Sequence, residues 1–293
     1  MRSGQGWLVR RLSRTRPALR LAALAAATGL LVGCSTDLPF DDDGSASARA
    51  REIVDQVREA VEQAKERSAE RSGDLDGSTP ADGQVLRTDT QTAFDYEEYS
   101  STLQSVFGLL EEYWGQVLPQ EFGVAFSPPS RYVYYRPDEG PGPSCGNQSA
   151  PANNAFYCPA GDFIAWDESG LIIPYYVGAG DFAAAFVLAH EFGHAMQRRL
   201  PDQEQLGILR ELQADCFAGA WARSVQDQGY LDKGDLDEAT LAVFSARDVP
   251  GTEFTDPAAH GTGFERTRAF ADGYEDGPAG CYPAPRQRWL VGS

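Results

Sequence analysis

The sequence predicts an α+β fold, mainly helical, with a small sheet beside one central buried helix. Apolar residues recur at helical spacing over 181–200 and again over 205–228, so two long helices are expected there. Residues 131–136 alternate in polarity and are rich in aromatic and β-branched side chains, which is typical of a strand. Residues 162–166 form a second candidate strand. Because only two short segments favour strands, the sheet is expected to be small.

Each predicted helix has its own signals in the sequence. The first places five large apolar side chains on one side, namely Leu103, Val106, Phe107, Leu110 and Trp114. The central helix has Asp181 as its expected N-cap, and Pro201 stops it. In chain order, helices are expected at 95–116, 181–200, 205–228, 236–247 and 264–274.

Residues 1–33 are predicted to be a targeting segment. Six arginines precede a short apolar run at 21–33, which falls short of the roughly 20 residues that a membrane span needs. Small residues before Cys34 resemble a bacterial lipobox, so Cys34 is expected to carry lipid as the first residue of the mature protein. An ordinary signal peptide or an uncleaved anchor is the alternative. The lipid would hold the protein on the cell membrane, facing the extracytoplasmic side.

The rest of the chain is predicted to consist of a spacer and one domain. Residues 34–91 comprise the lipidated cysteine and a flexible, partly helical spacer, and residues 92–293 are long enough for a sizeable core. Removing residues 1–33 leaves 19 basic against 43 acidic residues, a net charge of −24. Such a charge argues against nucleic acid as a partner.

Four cysteines remain after Cys34, and an even number in an exported protein predicts two disulfides. Three pairings are possible. We favour Cys145–Cys158, which would close a loop rich in Gly, Pro, Asn and Ser. We also favour Cys216–Cys281, which would tie the C-terminal tail to the helix at 205–228. Free buried thiols are the alternative.

Residues 190–194 read H-E-x-x-H within an apolar, helix-like run. His190 and His194 are four residues apart and therefore lie on one face of a helix, where two ring nitrogens can bind one zinc ion. Glu191 lies beside that face and can serve as the general base of a metal-assisted hydrolysis. The motif is short and occurs by chance on exposed helices. Its apolar neighbours predict a buried helix, however, where these groups would be costly without a metal. We therefore predict one Zn²⁺ per chain.

The following helix offers the remaining acidic groups of the site. Metzincins continue their motif with a glycine and a third histidine, and Gln197 and Leu200 at those positions exclude that class. Glu211 and Asp215 are four residues apart and border the apolar stripe of their helix. We assign Glu211 as the third zinc ligand and Asp215 to the outer ring nitrogen of His190, where a carboxylate fixes the tautomer. A half-exposed acidic helix edge is the alternative.

The remaining histidine, His260, precedes Gly261 and Thr262 in a polar loop. It could contact the oxyanion of a tetrahedral intermediate, cap a turn or serve as the third ligand. We weigh the oxyanion or substrate contact equally with the turn cap, and place the ligand role below both. His260 is retained as a candidate catalytic residue.

These motifs together resemble the bacterial neutral zinc metallopeptidase family. The resemblance covers most of residues 95–285, and its most specific parts are VLAHEFGH at 187–194 and ELQADCFAG at 211–219. Shorter matches are CG at 145–146, FYCPA at 156–160, HGT at 260–262, and GYE at 273–275 followed by Cys281. The chain departs from the family pattern at Ala195, where histidine is expected, and at Gly263-Phe264, where Ser-Glu is expected. The lipobox also replaces a plain membrane anchor.

The resemblance implies a zincin-like fold in which His190, His194 and Glu211 bind zinc and Glu191 is the base. The resulting prediction is a lipid-anchored, extracytoplasmic zinc metallopeptidase that hydrolyses peptide bonds of a peptide or protein substrate. In zincins an edge strand aligns the substrate, and residues 162–166 are the predicted edge. Two alternatives use the same residues: a zinc-stabilised envelope scaffold with little turnover, and a zinc amidase acting on cell-wall peptides.

Overall fold

The computed structural model describes residues 94–290. The predicted targeting segment, Cys34 and nearly all of the spacer lie outside the described residues. The helices are α1 (Tyr96–Glu121), α2 (Ile173–Gly178), α3 (Asp181–Arg199), α4 (Gly207–Asp227), α5 (Asp235–Ser245), α6 (Gly263–Asp276) and α7 (Arg286–Trp289). The strands are β1 (Arg131–Tyr135), β2 (Ala155–Cys158) and β3 (Phe163–Asp167). A π-helical turn at Glu168–Ile172 and a 3₁₀ turn at Pro278–Cys281 complete the description.

The predicted α+β, mainly helical class is confirmed. All five predicted helices are present, with ends that move by a few residues. Helix α1 begins after Asp95, whose side chain accepts hydrogen bonds from the N–H groups of Glu97 and Glu98, as an N-cap does. The short helical segments at 168–178, 278–281 and 286–289 were not predicted, because they are too short to show a helical period.

The sheet has the strand order β1-β3-β2. Strand β3 pairs in parallel with β1 and antiparallel with β2. The strand predicted at 162–166 is present as β3, but the prediction that it is an edge strand is wrong. Strand β3 lies in the centre of the sheet and has both of its edges paired. Strand β2, which the sequence reading left inside a loop, is the edge strand that contacts α3.

Each face of the sheet covers a different apolar cluster. Side chains alternate along a strand, so Ile164 and Trp166 of β3 face the main core between the sheet and the helices, while Phe163 and Ala165 face the opposite side. There they meet Phe156 and the cysteines of the Cys145–Cys158 loop. Burial on both faces explains why every residue of β2 and β3 is buried.

Helix α3 runs through the interior, with all but a few of its side chains buried. It ends at Arg199, and Leu200 adopts an extended conformation (ψ 146°) because the next residue is Pro201. Asp181 is the first helical residue rather than the N-cap, which is Gly180. The predicted capping role is therefore wrong, and the carboxylate of Glu238 accepts the free N–H of Phe182 instead.

Two glycines allow the helices around the site to cross closely. A Cβ at Gly193 of α3 would lie 3.1 Å from the Cα atom of Ala214 in α4. A Cβ at Gly273 of α6 would overlap the carbonyl oxygen of Cys216 in α4. These crossings bring side chains of α3, α4 and α6 to one place.

Both favoured disulfides are present, Cys145–Cys158 and Cys216–Cys281. The first closes the loop that precedes β2. The second joins α4 to the 3₁₀ turn at Pro278–Cys281, across a sequence separation of 65 residues. Each cross-link restricts the unfolded chain and thereby stabilises the folded state.

Candidate metal centre and active site

The side chains of His190, His194 and Glu211 converge in the interior, where α3 crosses α4. The two histidine Nε2 atoms are 3.1 Å apart. The Glu211 carboxylate lies 3.2 Å from His190 Nε2 through Oε2 and 3.4 Å from His194 Nε2 through Oε1. One ligand atom from each residue lies within 4.8 Å of the others. The three predicted ligands thus form a buried group that could hold a metal.

The orientation of His190 is set by Asp215, one helical turn after Glu211. His190 Nδ1 lies 2.8 Å from Asp215 Oδ1. Asp215 is fully buried and its pKa is lowered: burial opposes ionisation, but Arg266 and then His190 outweigh it. An ionised carboxylate only accepts hydrogen bonds, so Nδ1 carries the proton and Nε2 keeps its lone pair toward the centre.

The orientation of His194 is set by Gln197, one turn later on the same helix. Gln197 Nε2 donates to the carbonyl of Arg210 at 2.6 Å, which fixes the direction of the amide. Its Oε1 then lies 3.0 Å from His194 Nδ1 and can only accept. Nδ1 of His194 therefore carries a proton, and both histidines direct Nε2 toward the same point.

Arg266 of α6 supports the site from behind. It donates to both oxygens of Asp215, from Nε at 2.8 Å and from Nη2 at 2.7 Å, and also to the carbonyl of Ala246. This two-pronged pair is fully buried on both sides. The guanidinium neutralises Asp215 without reaching the point where the two histidines and Glu211 meet, so the charge there is left to Glu211 and Glu191.

Glu191 lies beside the group formed by His190, His194 and Glu211, and is itself fully buried. Its Oε2 accepts the backbone N–H of Tyr157 in β2 at 2.8 Å, whereas Oε1 has no hydrogen-bond partner among the described residues. Burial raises the pKa of this carboxyl above its ordinary value, and the charges of His194 and His190 oppose the rise. A raised pKa brings a carboxylate closer to the range in which it can take up and return a proton near neutral pH.

The electrostatics of the ligand group point to a cation. Burial would raise the pKa of Glu211, but His194 and hydrogen bonds from both histidines hold it well below its ordinary value. Burial would lower the pKa of His194, but the Glu211 carboxylate outweighs burial and raises it. Without a metal, a proton on the His194 imidazole supplies the positive charge that balances Glu211. A divalent cation can replace that proton.

The donor set fits zinc in particular. Two imidazole nitrogens and one carboxylate are the protein ligands of many catalytic zinc sites, which keep a further position open. Glu191 Oε1, buried and without a hydrogen-bond partner among residues 94–290, is the orphaned acceptor that such an open position would explain. Glu211 and Asp215 are both fully buried, which excludes the half-exposed acidic edge considered from sequence.

His260 lies on the loop before α6, at the border of the site. The Asp248 carboxylate accepts the backbone N–H groups of His260 and Gly261 at 2.9 and 2.7 Å. Asp248 Oδ1 also lies 3.4 Å from the ring Nδ1 of His260. The charge of His260 is one of the influences that lower the pKa of Glu211, so the ring is close to the ligand group, but it is not one of its three members.

Three residues of the site were not identified from the sequence: Gln197, Arg266 and the backbone of Tyr157. Gln197 was used only to exclude metzincins, although its position one turn after His194 indicates a contact with that ring. Arg266 had one signal, since a buried Asp215 requires a cationic partner. The contact of Tyr157 depends on β2, and no local pattern distinguished that strand.

Comparison with known proteins agrees with this geometry. Residues 71–282 match the family described as "Putative neutral zinc metallopeptidase". The chain belongs to that family. The match includes every residue of the site, from Tyr157 to Arg266, and it begins within the segment predicted to be a spacer.

Relatives of the chain are found in Escherichia coli and Mycobacterium tuberculosis. The uncharacterized protein YpfJ of Escherichia coli is 32% identical over 238 residues, which cover 71% of this chain and 79% of YpfJ. The uncharacterized protein Rv2575 of Mycobacterium tuberculosis is 28% identical over 165 residues, covering 46% of this chain and 56% of that protein. No solved structure matches the chain significantly. None of the helices between residues 94 and 290 combines the length and apolarity needed to cross a membrane. Family membership supports a peptidase-like function that depends on zinc.

Proposed function

We propose that this protein is a zinc endopeptidase in which His190, His194 and Glu211 hold the metal and Glu191 is the general base. The observation that carries the proposal is the buried convergence of two imidazole Nε2 atoms and the Glu211 carboxylate, with the free Oε1 of Glu191 beside them. A zinc site with only a structural role is normally closed by four protein ligands and needs no base. The presence of Glu191 therefore favours turnover over a scaffold.

The chain's own residues divide the chemistry among them. Zinc in this site would polarise the scissile carbonyl and lower the pKa of water to about 7. Glu191 takes a proton on Oε1 from the attacking water, because Oε2 is held by the N–H of Tyr157. The water oxygen bonds to the carbonyl carbon, and Glu191 delivers the proton to the amine nitrogen as the C–N bond breaks. Asp215 and Gln197 keep the two imidazole rings in the tautomer that can bind the metal.

Strand β2 is the proposed substrate-aligning edge. The N–H of Tyr157 points away from β3, since it donates to Glu191 across the space between the strand and α3. An extended substrate that pairs with this edge would pass directly beside the general base. His260 lies at the border of the same site, and we assign it a hydrogen bond to the oxyanion that develops during attack.

The location of the activity is part of the proposal. Lipid on Cys34 would keep the catalytic domain at the outer side of the cell membrane, with residues 35–91 as its tether. Cys34→Ser tests this directly: in fractionated cells, the variant is expected in the soluble extracytoplasmic or secreted fraction, and the parent chain in the membrane fraction. Equal membrane retention of both would contradict lipid anchoring.

The test of the activity is a comparison of the full chain with its Glu191→Gln and Glu112→Gln variants. Metal content and hydrolysis of diverse peptides are measured on the same preparations. We expect one zinc per chain in all three, and a fall in kcat of at least about 10²-fold in Glu191→Gln alone, as for loss of a general base. Glu112 is exposed on α1 and serves as the matched control for the Glu-to-Gln change.

Each other outcome leads to a different conclusion. Hydrolysis by zinc-loaded Glu191→Gln at the parent rate would exclude the proposed mechanism. Zinc without hydrolysis of any peptide would favour a scaffold, unless isolated cell-wall peptides are cleaved, which would favour an amidase. Absence of zinc from the parent chain would mean that the convergence of His190, His194 and Glu211 is not a metal site.

A further inference from the structure

A second group of carboxylates lies at the opposite end of α3 from His194. Asp181 is the first residue of that helix, and Asp235 and Glu238 come from the first turn of α5. One carboxylate oxygen from each of the three lies within 4.8 Å of the others. Two oxygens bound to one Ca²⁺ at 2.3–2.6 Å can be at most about 5 Å apart, so this spacing allows a shared ion.

These carboxylates are buried without a compensating charge. Asp181 and Asp235 are each only 4% exposed. Within residues 94–290, no ion pair involves any of the three, and Asp181 Oδ2 is buried with no hydrogen-bond partner. A buried anionic oxygen without a partner is costly. Three carboxylates side by side also repel one another. The group therefore lacks a positive charge that the described protein does not supply.

The other contacts hold the carboxylates in place and leave oxygens free. Glu238 Oε2 accepts the N–H of Phe182 at 3.1 Å, and Asp235 Oδ2 accepts the N–H of Asp232 at 2.8 Å. Asp181 Oδ2 has no hydrogen-bond partner among the described residues, and the carboxylates of Asp235 and Glu238 lie beside Asp181. Gly180 adopts a φ of +119°, and a Cβ at this position would overlap the Glu238 carboxylate. The absence of a side chain at Gly180 is what allows Glu238 to reach the start of α3.

The protonation behaviour agrees with a missing cation. Burial, followed by the charges of Asp235 and Glu238, raises the pKa of Asp181 to about 8. Burial raises the pKa of Asp235 to about 6 despite the hydrogen bond from Asp232. Without an ion, the group would have to keep a proton near neutral pH.

We propose that Asp181, Asp235 and Glu238 bind a calcium ion that joins the start of the central helix α3 to α5. All three donors are carboxylate oxygens, which suits a hard cation and distinguishes this site from the nitrogen-rich zinc centre. Ca²⁺ tolerates irregular geometry and accepts six to eight oxygens, so water can complete its shell. Mg²⁺ demands near-ideal octahedral geometry and loses its water reluctantly, and it binds more weakly here.

The ion would stabilise the helix that carries His190 and His194. His190 is nine residues after Asp181, about 14 Å along the axis at 1.5 Å per residue. Phe182, next to the site, stacks on Trp221 of α4 with the ring centroids 5.7 Å apart. Calcium would therefore fix the start of α3 against α5, next to the stacking contact with α4, while remaining separate from the zinc ligands. This inference does not depend on the proposed peptidase activity.

The test compares the full, zinc-loaded chain with its Asp181→Asn and Asp237→Asn variants. Asp237 is exposed in the same turn of α5 and lies outside the group, so it controls for the loss of one negative charge. Calcium binding is measured by titration calorimetry, and the melting temperature is measured with and without Ca²⁺. We expect the parent and Asp237→Asn to bind one Ca²⁺, with melting temperatures that rise by about 5–10 °C at a hundredfold excess over Kd.

Asp181→Asn is expected to lose most of this rise, while its calcium-free melting temperature equals or exceeds that of the parent because a neutral amide needs no proton to avoid repulsion by Asp235 and Glu238. A stable variant that no longer responds to calcium cannot be explained by misfolding. Tb³⁺ supplies an independent readout, since Trp221 is close enough to sensitise its luminescence in the parent. Absence of calcium binding in the parent, or equal responses in both variants, would overturn the proposal and leave a protonated carboxyl cluster.

Discussion

At the scale of single residues, the candidate centre depends on groups that never touch a metal. His190 can present Nε2 only because Asp215 accepts the proton on Nδ1, and Asp215 can remain ionised in the interior only because Arg266 pairs with it. Gln197 orients the ring of His194 as Asp215 orients that of His190, but its acceptor is a neutral amide oxygen. The buried ion pair of Asp215 and Arg266 thus controls the geometry of the ligands rather than adding stability by itself.

Asp215→Asn is expected to lower zinc affinity by about 10- to 100-fold, because the ionised acceptor that fixes the tautomer of His190 is replaced by a neutral amide, which can also turn its NH2 group toward Nδ1. The same change leaves Arg266 buried without its partner, so the free energy of unfolding should fall by about 3–5 kcal/mol. Competition with a zinc chelator and urea denaturation measure the two effects. Asp227→Asn, which breaks an exposed pair with Arg223, is the control and should change neither. An unchanged zinc affinity in Asp215→Asn would refute the positioning role.

His260→Ala tests the residue for which the sequence left three roles open. If the ring donates a hydrogen bond to the oxyanion, kcat should fall by about 10²- to 10³-fold while zinc content stays at one per chain. A third-ligand role would instead reduce zinc content, and a turn cap would lower only the melting temperature. Steady-state kinetics, metal analysis and thermal melting on one preparation distinguish these results.

At the scale of secondary-structure elements, small residues determine how closely the helices approach. Helix α4 packs against α3 at Gly193 and against α6 at Gly219 and Gly273, where added Cβ atoms would press on neighbouring backbone. Backbone cannot move aside as a flexible side chain can. The close crossings place Glu211 and Asp215 of α4 against the histidines of α3, and Asp215 also against Arg266 of α6.

Gly273→Ala is expected to destabilise the protein by about 1–3 kcal/mol or more, because the methyl group would overlap the carbonyl of Cys216. Gly108→Ala is the matched control, since it lies within α1 and has nothing within 4 Å of its added Cβ. That change should stabilise the protein by about 0.5–1 kcal/mol through helix propensity. Chemical denaturation of both variants measures the difference, and a Gly273→Ala protein as stable as the parent would show that α4 and α6 can move apart freely.

At the scale of the whole molecule, zinc would link the two consecutive helices at the centre of the fold. Its ligands come from α3 and α4, which also contact the sheet and α6. A metal that binds the folded chain and not the unfolded one stabilises the fold by an amount that grows with the logarithm of the free metal concentration above Kd.

Removal of zinc by dialysis against a chelator is therefore expected to lower the melting temperature by several degrees, and added zinc should restore it. Calorimetric melting of the metal-free and reloaded chain measures this change. Glu211→Gln, which removes one ligand charge, should respond less at the same free zinc concentration. If the melting temperature of the parent does not depend on zinc, the site contributes nothing to the stability of the fold.

Much of this protein was accessible from sequence alone, because the informative patterns are local. Helical periodicity located five helices, and the spacing within 190–194 and 211–215 identified a candidate metal site on two neighbouring helices. Cysteine number and loop composition led to both disulfides. The helices and the candidate ligands follow from patterns that repeat every three or four residues, and the Cys145–Cys158 pairing follows from a single loop. The Cys216–Cys281 pairing spans 65 residues and followed from the even number of cysteines.

The remaining features were decided by tertiary structure, since their causes lie far apart in the chain. Strand β2 exists because β3 pairs with it, and β3 is central because β1 occupies its other edge. Arg266 is part of the site because α6 crosses α4, 51 residues away from Asp215. Asp181 serves neither as a cap nor as a surface charge, because α5 brings Asp235 and Glu238 beside it. Contacts between distant segments leave no local period, and only the packed chain reveals which charges must balance one another.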